Sequence, residues 1–530
     1  MTFIDLEFLI FLLCGIIVFY ICPVKYRWIA LLGISTVFYA IAGLEYLPFI
    51  FVTSLSVWLA GKKMGAYYDK QNLELENKEL TRDDKKALKE KYKSKCKKVI
   101  AGVLVLNIAI LCVVKFTKFF ENPINDLIAF MGGKEDSFSA ASIIVPLGIS
   151  YYTFSSLSYL LDVYWKRVGY EKNYFRFLLY LIYFPHILQG PIERYGKLGV
   201  RLKQELRFDY DRVVSGIQLM LWGYFKKLVI ADRITQFIDA AYGDYWNANS
   251  LILILSMFLD VIYIYADFSG CMDMARGMSQ IFGIELDLNF DHPFSSRSVT
   301  EFWRRWHMTL GGWFKDYVYY PISTSRLVKN ISKSTRGKVS PKIAKALVTV
   351  IPVSVTWVLT GVWHGTGLTY IAWGVYYATM IFLSVTFEDD MKKLTQKLKI
   401  NTTTNSWRLF QMARTTVIFA GGRLLTRPGT LHKSAAIVYY TLKNFRPWEL
   451  FSSEISQYGL TTPELVIAVI AIAIFGYVSH LQMKGSVREM LKQENLVTRW
   501  VLYLALIFAV LIYGVYGPGF DLAAFVYMAY

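Results

Sequence analysis

Six histidines are the first residues to weigh in this chain of 530: His186, His292, His307, His364, His432 and His480. Imidazole titrates near neutrality, so it is the side chain best suited to moving a proton at physiological pH. Two of the six sit where packing alone is a poor explanation. His364 closes the apolar run 353–363, inside Gly361-Val362-Trp363-His364-Gly365. The flanking glycines permit close backbone approach. An ionisable group in such a run is costly enough to count as a candidate site by default. His307 ends Glu301-Phe302-Trp303-Arg304-Arg305-Trp306-His307. At helical spacing Trp303 and His307 share one face, as do Phe302 and Trp306. Period alone favours an interfacial helix here, anchored at headgroups by its Trp and Arg residues. His292, His432 and His480 read as structural or exposed. So does His186, although it lies in an interrupted segment taken up below.

Two histidines do not make a metal site, which would need further ligands at suitable geometry. Asp267, Asp273 and Asp316 are available, but no tight spacing commits them. There is no P-loop, no dinucleotide fingerprint and no G-x-S-x-G elbow. A histidine in a glycine-opened apolar segment fits proton abstraction from an acceptor hydroxyl.

The elements that must position these residues follow from composition. Hydrophobic residues make up 55% of the chain and charged residues only 18%, where a soluble domain carries about a quarter. The excess is concentrated in blocks such as 8–20, 99–114, 251–265, 465–474 and 501–513. Blocks of this kind build spanning helices, which need roughly 20 mostly apolar residues. They exclude a soluble enzyme, a disordered chain and a fibrous one. They also exclude a transmembrane β-barrel, whose strands alternate. The expected class is all-α: a polytopic membrane protein with about eleven spans plus re-entrant pieces. The 16% aromatic content suits interfacial belts of Trp and Tyr.

The net charge of +18 reads as basic cytoplasmic loops, not as a nucleic-acid surface. Cys14, Cys22, Cys96, Cys112 and Cys271 show no metal or disulfide spacing and read as small hydrophobes. Asp5 and Glu7 before the first apolar run argue for a retained span over a removable signal peptide. The positive-inside rule then places the N-terminus outside. Residues 62–98 form a charged cytoplasmic segment with thirteen Lys or Arg and seven Asp or Glu. Its Glu74, Lys78, Arg82 and Lys86 alternate at helical spacing. Residues 116–142 read as a loop of mixed charge. Residues 324–345 carry seven Lys or Arg and no acid, another cytoplasmic mark. The run 174–191 is flanked by basic residues and contains Pro185, Gly190 and Pro191, so it reads as re-entrant and lining a cavity. Further spans are expected near 145–163, 213–231, 250–267, 346–363, 367–386, 408–421, 463–481 and 497–516. Arg423, Arg427, Lys433, Lys443 and Arg446 fall where this topology expects the outside, against the rule. No internal repeat supports a transporter.

Several motifs together resemble one family. They are Phe184-Pro185 with Gly190-Pro191-Ile192, then Tyr265-Ala266-Asp267-Phe268-Ser269-Gly270 with Asp273-Met274-Ala275 and Gly277. Asn289-Phe290, Pro293-Phe294, 300–310 and Trp313-Phe314-Lys315-Asp316-Tyr317 follow, and Gly361–Gly365 with Trp373-Gly374 closes the set. In this order they resemble the membrane-bound O-acyltransferases. The closer likeness is to the bacterial branch of alginate O-acetylation proteins and peptidoglycan O-acetyltransferases, related to teichoic-acid D-alanyl transferases. Two stretches depart from the pattern: Pro321-Ile322-Ser323-Thr324-Ser325-Arg326 and Phe419-Ala420-Gly421-Gly422-Arg423.

The resemblance implies a single membrane domain over 1–530, with the catalytic core motifs in 180–375 and a ring of helices around a central tunnel. It implies a bacterial plasma-membrane enzyme that moves an acyl group, acetyl before D-alanyl, onto a hydroxyl of a surface polysaccharide or an extracytoplasmic partner protein. The donor would be a cytoplasmic thioester, acetyl-CoA or an acyl carrier protein, with no bound cofactor or metal. A lipid-linked glycan transporter is the competing class. The resemblance makes His364 the catalytic base and brings His307 into the site, to polarise the thioester carbonyl or stabilise its oxyanion. Trp303, Arg304, Arg305, Trp306, Asp267, Asp316, Tyr317 and Trp363 would shape the tunnel.

Overall fold

A computed structural model of the chain describes residues 3–76, 80–121, 145–446 and 456–516. The class is as expected. Among the described residues helices dominate and no strand forms. The one β-type pairing is an isolated bridge between Phe290 and Trp306. Nine helices among these residues are long and apolar enough to cross a membrane, so the chain is a polytopic all-α membrane protein.

Three of the expected spans are not among these nine, for local reasons. Leu6–Ile21 and Ile149–Tyr164 each form but have only 16 residues, short for a 30 Å core. The second of these is buried along almost its whole length within protein. Asn405–Thr426 has 22 residues but carries Arg408, Arg414 and Arg423. The charged segment is not one continuous helix either. Leu47–Leu75 ends within it, and Arg82–Phe116 starts afresh on a capping box, with Thr81 and Asp84 each bonding the other's backbone N–H. Lys78 and most of the expected loop 116–142 lie outside the described residues.

The described chain divides into two compact units. The first comprises residues up to Val213 together with Met278–Asp287. It contains the interrupted run 174–191. Tyr174–Ile182 stops at Tyr183, and a single turn, Phe184–Ile187, follows with Pro185 near its start. This backbone is irregular, as expected, but protein packing buries it. His186 is 1% exposed, its Nε2 lies 3.0 Å from the Tyr180 carbonyl, and none of the run lines the cavity described below. His186 is therefore a satisfied structural histidine.

The second unit comprises Val214–Gly277 and the chain from Leu288 onward. Its helix Tyr210–Tyr224, which starts in the first unit, runs into a π-helical turn, Phe225–Ala231. The wider turn places two consecutive lysines inside. Lys226 donates to Asp273 (2.7 Å) and Ser269 (2.9 Å). Lys227 sits 2.8 Å from both Asp232 and Asp267.

The helices Pro341–His364 and Leu368–Thr386 form a close helical hairpin in this unit. Glycine is required where they meet. A Cβ on Gly361 would lie 2.2 Å from the Tyr370 carbonyl oxygen, and one on Gly374 would lie 2.6 Å from that of Trp357. The flanking glycine read from sequence as an opening is thus the contact that sets the position of His364. Gly361→Ala should lower the thermal midpoint in detergent by an amount equivalent to about 1–3 kcal/mol, the usual cost of overpacking. Gly476→Ala, where a Cβ meets nothing within 4 Å, should not lower it.

Candidate functional site

The site is built from a short segment that leaves helical geometry. Ser298 caps Val299–Arg305 by accepting the Glu301 N–H at 3.1 Å. The helix then ends, because Trp306 turns extended and pairs with Phe290. Asp291 N–H donates to the Arg305 carbonyl (3.0 Å), and Met308 N–H donates to the Asn289 carbonyl (2.9 Å). His307, between them, takes a left-handed conformation with φ 45°. Such a conformation is uncommon outside glycine and persists only where surrounding bonds hold it. The helical-face pairing of Trp303 with His307 expected from spacing therefore fails, since the helix stops two residues short of His307. The Phe302–Trp306 pair survives as a stack, 5.6 Å between ring centroids.

His307 is buried. Its Nδ1 lies 3.0 Å from Asn289 Oδ1, and its ring packs edge-on to Phe268 at 4.7 Å. Burial pushes its pKa down to about 3, so the ring is neutral at physiological pH.

His307 and His364 line the same cavity, of about 770 Å³. Trp363 stands beside both rings, with centroids 6.1 Å from His307 and 4.9 Å from His364. The His364 ring also meets Trp373, with centroids 5.1 Å apart. Trp303 packs on Trp357 (4.8 Å), Trp373 (5.6 Å) and Tyr377 (4.7 Å), making an aromatic wall. The cavity is thus largely apolar with a few polar groups, as small-molecule sites are.

The remaining residues singled out from sequence divide in two. Trp303, Arg304 and Trp306 line the cavity, with Arg304 exposed. Arg305 does not. It pairs with Glu301 at 2.8 Å and donates to Ser295. Tyr317 packs on Trp313 at 5.2 Å, and it and Asp316 sit in the π-helical turn Lys315–Tyr319, outside the lining. Asp267 is held by Lys227, away from the cavity lining.

Sequence reasoning missed Phe419 and Arg423, which also line the cavity. Arg423 binds Asp260 through two nitrogens, at 2.8 and 3.1 Å. Arg427 reaches Asp239 at 2.6 Å and lies over the Tyr263 ring. Two of the five cations that broke the positive-inside rule therefore pair with the buried Asp260, which Arg427 also approaches at 3.7 Å. The available signal was Asp260, a lone carboxylate inside the apolar run 251–265, which needs a partner of opposite charge.

Fold and site together define a helical membrane protein with two buried histidines on one aromatic-walled cavity. The model of the MBOAT, membrane-bound O-acyltransferase, family matches residues 166–337, and together with the relatives below it supports an O-acyltransferase. It is 29% identical over 467 residues to a "probable alginate O-acetylase" of Pseudomonas syringae pv. tomato, covering 86% of this chain and 78% of that one. It is 28% identical over 311 residues to a peptidoglycan O-acetyltransferase of Helicobacter pylori, covering 53% of this chain and 54% of that one. A teichoic acid D-alanyltransferase of Bacillus subtilis is 28% identical over 302 residues, or 56% of this chain and 70% of that one.

Removing one member of a buried ion pair strands the other. Asp260→Ala should therefore cost about 3–5 kcal/mol of stability. Adding Arg423→Leu should restore part of it, so that the two substitutions are clearly non-additive when unfolding is measured in detergent.

Proposed function

We propose that the cavity transfers an acyl group, acetyl by preference, from a thioester to a hydroxyl. The observation that carries this reading is that His307 and His364 line one cavity of about 770 Å³, with Trp363 beside both rings. Such a volume suits a small ligand or the acyl end of a larger one. In the step proposed, the hydroxyl oxygen attacks the thioester carbonyl carbon. Its proton passes to His364 as the oxygen–carbon bond forms. The carbon–sulfur bond then breaks, and the departing sulfur takes the proton, leaving an ester and a thiol.

The donor is placed on the cytoplasmic side, near the basic residues 324–345, as acetyl-CoA or an acyl carrier protein. Lys315 and Tyr320, both exposed, line the cavity just before that stretch in the chain. The acceptor is placed at the cell surface, as a polysaccharide or an extracytoplasmic partner protein that passes the group on. The protein then lies in the bacterial plasma membrane with its N-terminus outside. Acetyl is preferred to D-alanyl because the match to the probable alginate O-acetylase extends over 86% of the chain, against 56% for the D-alanyltransferase.

Purified protein in detergent or vesicles, given a labelled thioester and a polysaccharide acceptor, should release thiol and label the acceptor. His364→Ala should reduce the rate by roughly a hundredfold or more, the usual size of a general-base contribution. Undiminished transfer in that variant would remove His364 from the mechanism.

A further inference from the structure

Asn289 has a single amide oxygen that serves three donors. It lies 3.1 Å from the Thr309 backbone nitrogen, 3.0 Å from Thr309 Oγ1 and 3.0 Å from His307 Nδ1. Its amide nitrogen is 3.1 Å from the Met272 sulfur. The two ends of an amide are easily interchanged, so the assignment needs an independent anchor. The backbone provides one. An N–H of the main chain can only donate, so the atom facing Thr309 N must be the amide oxygen. An amide oxygen cannot donate. His307 Nδ1, which shares that oxygen, must therefore carry the ring proton.

A neutral imidazole holds one proton only, so a protonated Nδ1 leaves Nε2 as a lone-pair atom. We infer that Asn289 is a positioning residue that locks His307 in the Nδ1–H tautomer, so that its Nε2 can only accept a hydrogen bond in the transfer and cannot donate one to the oxyanion. The inference rests on the acyl-transfer reading for its place in the reaction, but the tautomer itself does not depend on it. The doubly protonated ring, which would restore a donor at Nε2, is disfavoured because burial holds the imidazolium pKa near 3. The backbone works to the same end. Met308 N–H binds the Asn289 carbonyl at 2.9 Å, so the residue that orients the ring is also tied to the strand-like pairing that holds His307 at φ 45°. Asn289 is 1% exposed, which keeps water from competing for its oxygen. The negative charge that develops on the thioester oxygen is then met by some other donor.

Nitrogen NMR of the full chain labelled with 15N-histidine reads the tautomer directly, and His307→Gln identifies the signal by deleting it. The wild type should show a protonated Nδ1 and an unprotonated Nε2 at neutral pH. Asn289→Leu, which keeps the volume and removes the acceptor, should shift that signal toward the other tautomer. It should also lower kcat by roughly ten- to a hundredfold with little change in KM. Asn289→Asp keeps an acceptor and should preserve the Nδ1 proton and recover most of kcat. A wild-type His307 protonated on Nε2 overturns the inference, as does an unchanged tautomer in Asn289→Leu. If Asn289→Leu does not fold, the wild-type signal and the Asn289→Asp variant decide it. A correct tautomer in a protein that transfers no acyl group would count against the acyl-transfer reading alone.

Discussion

A polar group in this chain cannot rely on bulk water, and the arrangement of the second unit follows from that constraint. A buried charge left alone costs several kcal/mol, so each must arrive with a partner. Lys226 meets Asp273, Lys227 meets two carboxylates, and Arg423 and Arg427 share Asp260. Apart from Lys227 with Asp232, these pairs join residues far apart in sequence, so they fix which helices can be neighbours. The π-helical turn at Phe225–Ala231 is the local expression of the same demand, since an ordinary helix would turn one of two consecutive lysines outward.

The cavity is where this pairing gives way to aromatic packing. Its walls are rings in edge-to-face contact, and its polar functions are few: two imidazoles, Arg304, Lys315, Arg423 and some hydroxyls. A site of low polarity strengthens each electrostatic interaction made inside it. It also makes the protonation state of each histidine a matter of its immediate neighbours. For His307 the neighbour is Asn289, held by a bridge between two non-helical segments. For His364 it is the close approach of two helices at Gly361 and Gly374. Both histidines thus sit where regular structure ends, at sites fixed by backbone contacts.

Much of this was legible in the sequence. The apolar blocks predicted the class, and Gly361-Val362-Trp363-His364-Gly365 identified both a histidine and the reason for its glycines. What was not legible depended on contacts between segments distant in the chain. Helical periodicity over 301–307 missed the break at Trp306, because the partner that competes for its backbone is Phe290. Asp267 carried the right chemistry for a site but belongs to Lys227, 40 residues earlier. Arg423 looked like a misplaced cytoplasmic charge because Asp260 lies 163 residues away. Composition locates costly groups, but only the fold says which of them neutralise one another and which remain for chemistry.

The central claim is that the two histidines act on an acyl thioester inside one cavity. A cryo-EM structure of the protein in lipid nanodiscs, with a non-hydrolysable acetyl thioester analogue bound, tests it most directly. The analogue's carbonyl should lie within the cavity, between the rings of His307 and His364 and against Trp373. An ordered analogue bound elsewhere, with the cavity empty, would contradict it.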